Sequence, residues 1–177
     1  MTPSISINAL QWFLIVQALF GAFDSFWNHE WQAKLPYQVS ARLEQRLHAL
    51  REFIYAVLFM GLAWFVWGGV YAWVLVSFLL LESVITAWDF VEEDRSRKLS
   101  PQERVTHLIL TLNFGAFMAL ALPHFLQWSE RPSELVLQTS SLASIIMTFF
   151  SISVLALGIR NWMSANKLNL QAKEGLS

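Results

Sequence analysis

The chain has 177 residues, of which 55% are hydrophobic and only 14% are charged, and its formal net charge at pH 7 is −1. Soluble domains carry about 25% charged residues, so this composition excludes an ordinary soluble fold. The near-neutral charge excludes the basic surface that nucleic-acid binding requires. The absence of cysteine excludes disulfides, thiolate metal ligands and iron–sulfur clusters. The predicted class is an all-α integral membrane protein that forms a single bundle of five transmembrane helices.

The first three helices follow from apolar runs, each of about the 20 residues that cross a bilayer. Helix one covers about residues 7–28, and no Lys or Arg precedes it, which argues against a secretory signal peptide. Helix two covers about residues 40–67 and begins near Ser40, a suitable N-cap. Gly68-Gly69 separates it from helix three, about residues 70–91.

Helix four has the clearest start in the chain. Ser100-Pro101-Gln102-Glu103 combines an N-cap serine, a proline at the first helical position and the glutamate of a capping box. We expect this helix to cover residues 101–122 and to end before Pro123. Helix five follows at about residues 136–160, and residues 161–177 are expected to form a polar, fraying cytoplasmic tail.

Helix five also carries a stripe of small polar residues, Ser140, Ser144, Thr148 and Ser151. Small residues of this kind allow helices to approach closely in a membrane. The stripe therefore predicts a contact with a second copy of the chain or with a partner membrane subunit.

The distribution of Lys and Arg predicts the orientation. With five spans, eleven of these residues fall on one side and only Arg131 falls on the other. Because cytoplasmic loops carry the excess of positive charge, the amino terminus is predicted outside and the carboxyl terminus in the cytoplasm. The predicted location is a bacterial inner membrane. Tryptophans near both predicted boundaries agree, with Trp67 and Trp128 on the outer side. The eleven cations are Lys34, Arg42, Arg46, Arg51, Arg95, Arg97, Lys98, Arg104, Arg160, Lys167 and Lys173.

Helix three carries acidic residues inside an apolar run. A carboxylate at membrane depth costs about 2.5–3.5 kcal/mol on insertion scales, so Glu82 indicates a functional site. Glu82, Thr86, Asp89 and Glu93 recur at intervals of three or four residues, which places them on one face of the helix.

Histidines and carboxylates of the other predicted helices reach the same level. His48 and Glu52 lie four residues apart on helix two, Glu103 and His107 lie four apart on helix four, and Asp24 lies near the end of helix one. Imidazole and carboxylate ligands suit iron, manganese or zinc. The set resembles that of four-helix di-iron carboxylate proteins in its ligand types, although their Glu-x-x-His spacing is absent. The predicted ligands of one or two transition-metal ions are His48, Glu52, Glu82, Asp89, Glu93 and His107, with Glu103 and Asp24 as further ligands.

Some of these residues have interpretations that need no metal. Membership of the capping box is by itself a sufficient role for Glu103. Glu92 and Asp94 lie beside arginines and fit a solvated loop. His48 and His107 can instead be axial ligands of haem, which we favour less because the surrounding acids would repel the haem propionates.

The predicted function is a small membrane metalloenzyme that acts on a lipophilic substrate, such as a quinone or a lipid, at the cytoplasmic boundary. Iron would make it an oxidoreductase, and zinc would make it a hydrolase. The alternative is a protein without enzymatic activity: a carrier of ions or protons, or an accessory subunit of a larger membrane complex. A carrier usually continues its acids across the midplane and often contains internal repeats, and the sequence displays neither feature.

Overall fold

The computed structural model describes residues 7–174 and is almost entirely helical. Five of its helices are long and apolar enough to span a membrane, which confirms the predicted five-helix architecture. Residues 1–6 and 175–177, the latter from the expected tail, lie outside the described residues. The helices are α1 (Ile7–Phe23, continuing as a π-helix over Asp24–Gln32), α2 (Arg42–Trp64), α3 (Val70–Ser96), α4 (Pro101–Ser129) and α5 (Leu142–Glu174), with short 3₁₀ turns at Leu35–Tyr37 and Val39–Ala41.

Helix α2 lies at the centre of the bundle. In the most apolar 18-residue stretch of α2, 67% of the residues are buried, against 28–33% in the corresponding stretches of the other four helices. Helix α5 packs against α2 along much of the length of α2. Ser151 Oγ donates to the Ala56 carbonyl at 2.7 Å, and Trp64 Nε1 donates to Thr148 Oγ1 at 2.8 Å. Ser151 and Thr148 of the small polar stripe thus form hydrogen bonds to α2 within the chain.

The buried face of α3 changes character along the helix. Its first half buries Ala72, Leu75 and Leu79. The helix continues to Ser96, beyond its predicted end near residue 91, and its second half buries three carboxylates that are at most 1% exposed. These carboxylates share the face that the sequence pattern predicted. They are Glu82, Asp89 and Glu93.

Helix α4 has the same division in the reverse order. Its first turns bury Glu103 and His107, whereas its later turns bury Phe117 and Ala121. Because only residues 97–100 connect α3 to α4, the acidic end of one helix adjoins the acidic end of the other. We call this the polar end of the bundle, and we call the opposite end, which has a core of leucine and aromatic side chains, the apolar end.

A small antiparallel hairpin closes the apolar end. Strand β1 (Phe65–Trp67) pairs with strand β2 (Leu135–Leu137), so that α2 ends before residue 65 rather than near residue 67. Gly69 has a φ of 57°, and a side chain there would lie 2.7–2.8 Å from the backbone of Ser133. Only glycine fits this close approach without strain. The predicted break after helix two is confirmed, whereas strands β1 and β2 were not predicted.

Helix α4 does not end before Pro123, as predicted, but continues to Ser129. A proline inside a helix removes one backbone hydrogen bond. Beyond it, Phe125 and Trp128 are buried in the apolar core. Burial of these two large aromatic side chains offsets the lost hydrogen bond. Trp128 and Trp67 are therefore buried in the apolar core.

Helix α5 differs from its predicted range at both ends. It starts at Leu142 rather than near residue 136, because the preceding segment pairs as β2. It continues to Glu174, well past the predicted end near residue 160. The extension is stabilised by packing, since it buries Leu168 and contacts both 3₁₀ turns. The expected tail is thus helical as far as the described residues extend.

Candidate metal centre

A π-helical segment brings His29 into the polar end. In Asp24–Gln32 the backbone bonds join residues five apart, which brings such residues closer to one face. In an α-helix the same residues would point about 140° apart. His29 Nε2 lies 3.4 Å from Asp24 Oδ2, and Asn28 Nδ2 donates to the other Asp24 oxygen at 2.7 Å. The sequence placed His29 in a loop, because a π-helix has no distinct hydrophobic pattern.

The first group of candidate ligands contains Asp24, His29, Glu103 and His107. All four are buried, and one ligand atom from each lies within 4.8 Å of those of the others. His107 Nε2 and Asp24 Oδ2 share a hydrogen bond of 3.1 Å. His29 Nε2 lies 3.4 Å from Glu103 Oε1. This first group joins the end of the first span to the first turns of α4.

The second group contains His29, Glu44, His48 and Glu93, again buried and within 4.8 Å of one another. The His29 and His48 rings stack in parallel with their centroids 4.5 Å apart. His48 Nε2 lies 3.6 Å from Glu93 Oε1, and the other oxygen of Glu93 lies 3.4 Å from His107 Nδ1. Glu93 therefore stands between the two groups and directs one oxygen toward each.

The distances between these atoms fit a shared cation. Metal–ligand bonds of about 2.1 Å place neighbouring ligand atoms about 3.0–3.5 Å apart, and the nitrogen–oxygen distances here are 3.1–3.6 Å. Four ligand atoms in these groups are buried and make no hydrogen bond of good geometry among the described residues, although their nearest ion-pair partners lie only 3.1–3.6 Å away. Because buried polar atoms are nearly always satisfied, their convergence favours a common partner such as a metal ion. They are His29 Nε2, His48 Nε2 and both carboxylate oxygens of Glu93.

The polar end also has an excess of negative charge. Among the described residues it buries seven carboxylates, and two arginines, Arg51 and Arg97, form ion pairs with members of this set. Five formal negative charges remain when the three imidazoles are neutral, and two remain when all three are protonated. Buried like charges are relieved by protonation or by bound cations. The seven carboxylates are Asp24, Glu44, Glu52, Glu82, Asp89, Glu93 and Glu103.

Arg97, in the loop after α3, clamps two of these carboxylates. It donates to Glu44 at 2.8 Å and to both oxygens of Glu103 at 2.6 and 2.9 Å. Burial alone would lower the pKa of Arg97, but the hydrogen bonds to Glu103 and Glu44 raise it, so the guanidinium stays charged. The Glu103 backbone also donates to Ser100 Oγ at 3.1 Å, which confirms the predicted N-cap. Glu103 therefore lies in the first group as well as at a helix start.

Two predicted ligands lie beside the groups rather than in them. Asp89 Oδ2 is 3.1 Å from His48 Nε2 and 2.8 Å from an Arg51 nitrogen. Glu82 lies deeper, where its Oε1 accepts from Thr86 Oγ1 at 2.7 Å and is 3.5 Å from Arg51 Nε. In this arrangement Arg51 connects the deep carboxylate to the one that contacts the imidazole.

Glu52 also stands apart from both groups. Each of its oxygens accepts from Asn161 Nδ2 at 2.9 Å, and the side chain borders a cavity. Asn161 lies in the part of α5 that the sequence assigned to the tail, so this partner of Glu52 was not predicted.

Glu44 belongs to the second group but was not predicted as a ligand. It is fully buried. Glu44, His48 and Glu52 recur at intervals of four residues and so lie on one helical face. That spacing is the signal that could have identified Glu44.

Aromatic rings pack closely around the imidazoles of the polar end. The His29 ring stacks on His48 and lies edge-on to His107 with centroids 6.2 Å apart. The other side of His107 is covered by Phe90, whose ring stacks on it at 5.2 Å. His29 and Phe90 therefore pack against the faces of the two imidazoles that a haem would need as axial ligands.

Two cavities reach the polar end from the sides of the bundle. The first, of about 170 Å³, lies between α1 and α5 and extends to α2. The second, of about 310 Å³, lies between α3 and α4. They meet at a shared set of residues, Gln17, Asp24, Arg51, Tyr55 and Leu110.

No protein-family model, no curated protein sequence and no solved structure matches this chain significantly. The chemistry of the centre is therefore inferred from its own ligand geometry.

Proposed function

We propose that the chain is an integral membrane metalloenzyme whose two-metal centre lies at the cytoplasmic boundary and acts on a lipophilic substrate. The main support is the convergence of three imidazoles with buried carboxylates in two overlapping groups. Mixed nitrogen and oxygen ligands suit iron, manganese and zinc. Iron is the first choice, because helical bundles hold paired iron ions with carboxylate and imidazole ligands.

Two ions fit this arrangement better than one. Glu93 directs one oxygen toward each group and can bridge two ions, which in such centres lie about 3.5–4 Å apart. His29 belongs to both groups and can complete one of them. The proposed ligands of the first ion are Asp24, Glu103 and His107, and those of the second are Glu44 and His48.

The centre is reached through cavities on the sides of the bundle. A lipophilic substrate such as a quinone or a lipid can therefore keep its tail in the bilayer. Iron would supply redox chemistry to such a substrate, whereas zinc would supply an activated water for hydrolysis.

The apolar end favours an enzyme over a carrier. There, a cavity of only about 10 Å³ is lined by apolar side chains and by Gln11, whose amide donates to the Leu62 carbonyl at 3.0 Å. An ion path across the membrane needs polar groups or water along its whole length. The dense apolar packing opposite the metal centre does not supply such a lining.

The metal content of the purified protein tests the proposed function. We expect about two ions per chain, with iron preferred, in protein purified in mild detergent and supplied with iron, manganese and zinc. Chelation should lower the melting temperature, because a ligand of the folded state stabilises it. Asp94→Ala should keep the metal, since Asp94 is exposed and outside both groups. Protein that binds none of the three metals would contradict the proposal.

Cysteine labelling tests the proposed orientation. The chain has no cysteine, so single cysteines can be introduced at Lys98, in the loop at the polar end, and at Arg131, near the hairpin. Both positions are exposed. We expect an impermeant maleimide to label Arg131→Cys in intact cells and Lys98→Cys only after permeabilisation. The reverse pattern would place the metal centre on the outer side.

A further inference from the structure

Helices α1 and α5 touch at both ends of the first cavity and separate between them. Toward the apolar end, Ser141, the residue directly before α5, donates through its Oγ to Gln11 Oε1 at 3.3 Å. Toward the polar end, Arg160 forms an ion pair with Glu30. Between these contacts the cavity opens beside Phe26, which is 63% exposed. An opening on the side of a membrane-spanning bundle receives its occupant from the lipid rather than from water.

The walls of this cavity are apolar over most of their length. Small residues of α1 make room on one side, and branched or aromatic residues of α2 and α5 form the other. Such a lining fits an alkyl or isoprenoid chain, because ligand sites bury apolar groups against apolar side chains. The wall residues are Ala18, Gly21, Ala22, Phe59, Val154 and Leu157.

The inner end of the cavity disfavours an anionic head group. Asp24 and Glu52 border it together with imidazoles of the metal centre. Among the described residues that line it, Arg51 is the one arginine or lysine, and Arg51 is already paired with Asp89 at 2.8 Å. A phosphate or carboxylate would therefore meet like charges without a free cation. A cationic head group is disfavoured in turn, because bound metal ions would neutralise most of the negative charge.

Glu52 provides an acceptor for a neutral donor. Its two oxygens each accept one hydrogen bond from Asn161, at 2.9 Å. A carboxylate has about four acceptor positions, so Glu52 can accept further bonds from a ligand. A hydroxyl group can donate to it, whereas a ketone or an ester cannot.

We infer that this cavity binds an amphiphile with a hydroxyl head group, either a long-chain alcohol or a quinol. Its chain enters from the lipid between α1 and α5, and its hydroxyl donates to Glu52. The inference rests on the proposed function, because the metal ions set the charge that the head group meets.

Photoreactive lipids test the inference directly. The probe is hexadecanol with a diazirine in its chain, added to metal-loaded protein in lipid nanodiscs and mapped by mass spectrometry. We expect saturable labelling of α1 and α5 along the cavity. Leu157→Trp should abolish most of it by filling the cavity, whereas Leu155→Trp, at an exposed site on the same helix, should not. Glu52→Ala should raise the probe concentration that saturates labelling about tenfold or more, as expected for loss of a hydrogen bond to a charged group.

Matched probes separate the remaining outcomes. Unlabelled hexadecanol and decylubiquinol, used as competitors, distinguish an alcohol site from a quinol site. Equal labelling by the corresponding fatty acid, or stronger labelling by the corresponding amine, would overturn the hydroxyl head group. Labelling confined to α3 and α4 would overturn the choice of cavity. Metal is measured on the same samples: failed labelling with metal bound contradicts this inference alone, and absence of metal contradicts the proposed function.

Discussion

Glu93→Gln is expected to reduce the bound metal from about two ions per chain to less than one. Glu93 Oε1 lies 3.6 Å from His48 Nε2, and its Oε2 lies 3.4 Å from His107 Nδ1, so this one side chain serves both groups. Glutamine has a single acceptor oxygen and no charge, and it cannot bridge two cations. Loss of the bridge should therefore weaken the binding of both ions rather than of one.

Metal analysis and thermal melting, each with and without chelator, measure this effect. Chelation should lower the melting temperature of the parent protein but change that of Glu93→Gln little. The metal-free variant should be at least as stable as the metal-free parent, because it has one fewer carboxylate in a crowded buried site. The neighbouring Glu92→Gln is the control, since Glu92 is only half-buried and belongs to neither group. Full metal occupancy in Glu93→Gln would rule out a bridging role.

Arg97→Gln is expected to destabilise the metal-free protein more than any other surface or loop substitution. Arg97 is about nine-tenths buried and pairs with Glu44 and Glu103, which are almost completely buried. Removing one partner of a buried ion pair costs about 3–5 kcal/mol, because it leaves a buried charge uncompensated. Bound metal should recover part of the loss, because Glu44 and Glu103 would still have a cation to bind.

The matched control for Arg97→Gln is Arg104→Gln. Arg104 pairs with Asp94 at 3.4 Å, but the two side chains are 57% and 62% exposed. Exposed pairs contribute about 0–1 kcal/mol, so this variant should melt close to the parent. Melting temperatures in detergent, with and without metal, measure both variants. A metal-free Arg97→Gln as stable as Arg104→Gln would contradict the clamp, and a loss that metal does not restore would contradict metal binding at Glu44 and Glu103.

The helix faces were predictable because burial recurs every three or four residues. That periodicity placed Glu82, Asp89 and Glu93 on one side of α3, where the structure has them. It does not determine what a buried carboxylate contacts. Glu82 lies beside Arg51 and Glu52 beside Asn161, although both were predicted as metal ligands.

The remaining parts of the centre depend on contacts between distant segments. His29 faces inward only because the backbone adopts a π-helix, and Arg97 is a loop residue whose side chain folds back between α2 and α4. The pairing of Glu44 with Arg97 could not be predicted, because the two residues lie 53 positions apart along the chain. The strand Leu135–Leu137 resembled the start of a helix, since a short apolar run is ambiguous between strand and helix.

The division of the bundle into a polar and an apolar end has a consequence for lipid traffic. In the proposed orientation, the reactive groups lie at the depth of the inner leaflet, and the outer leaflet faces only the tightly packed half. A lipid with a charged head group in the outer leaflet would therefore have no route to the proposed metal centre. An uncharged alcohol or quinol, which crosses the bilayer readily, would reach it from either leaflet.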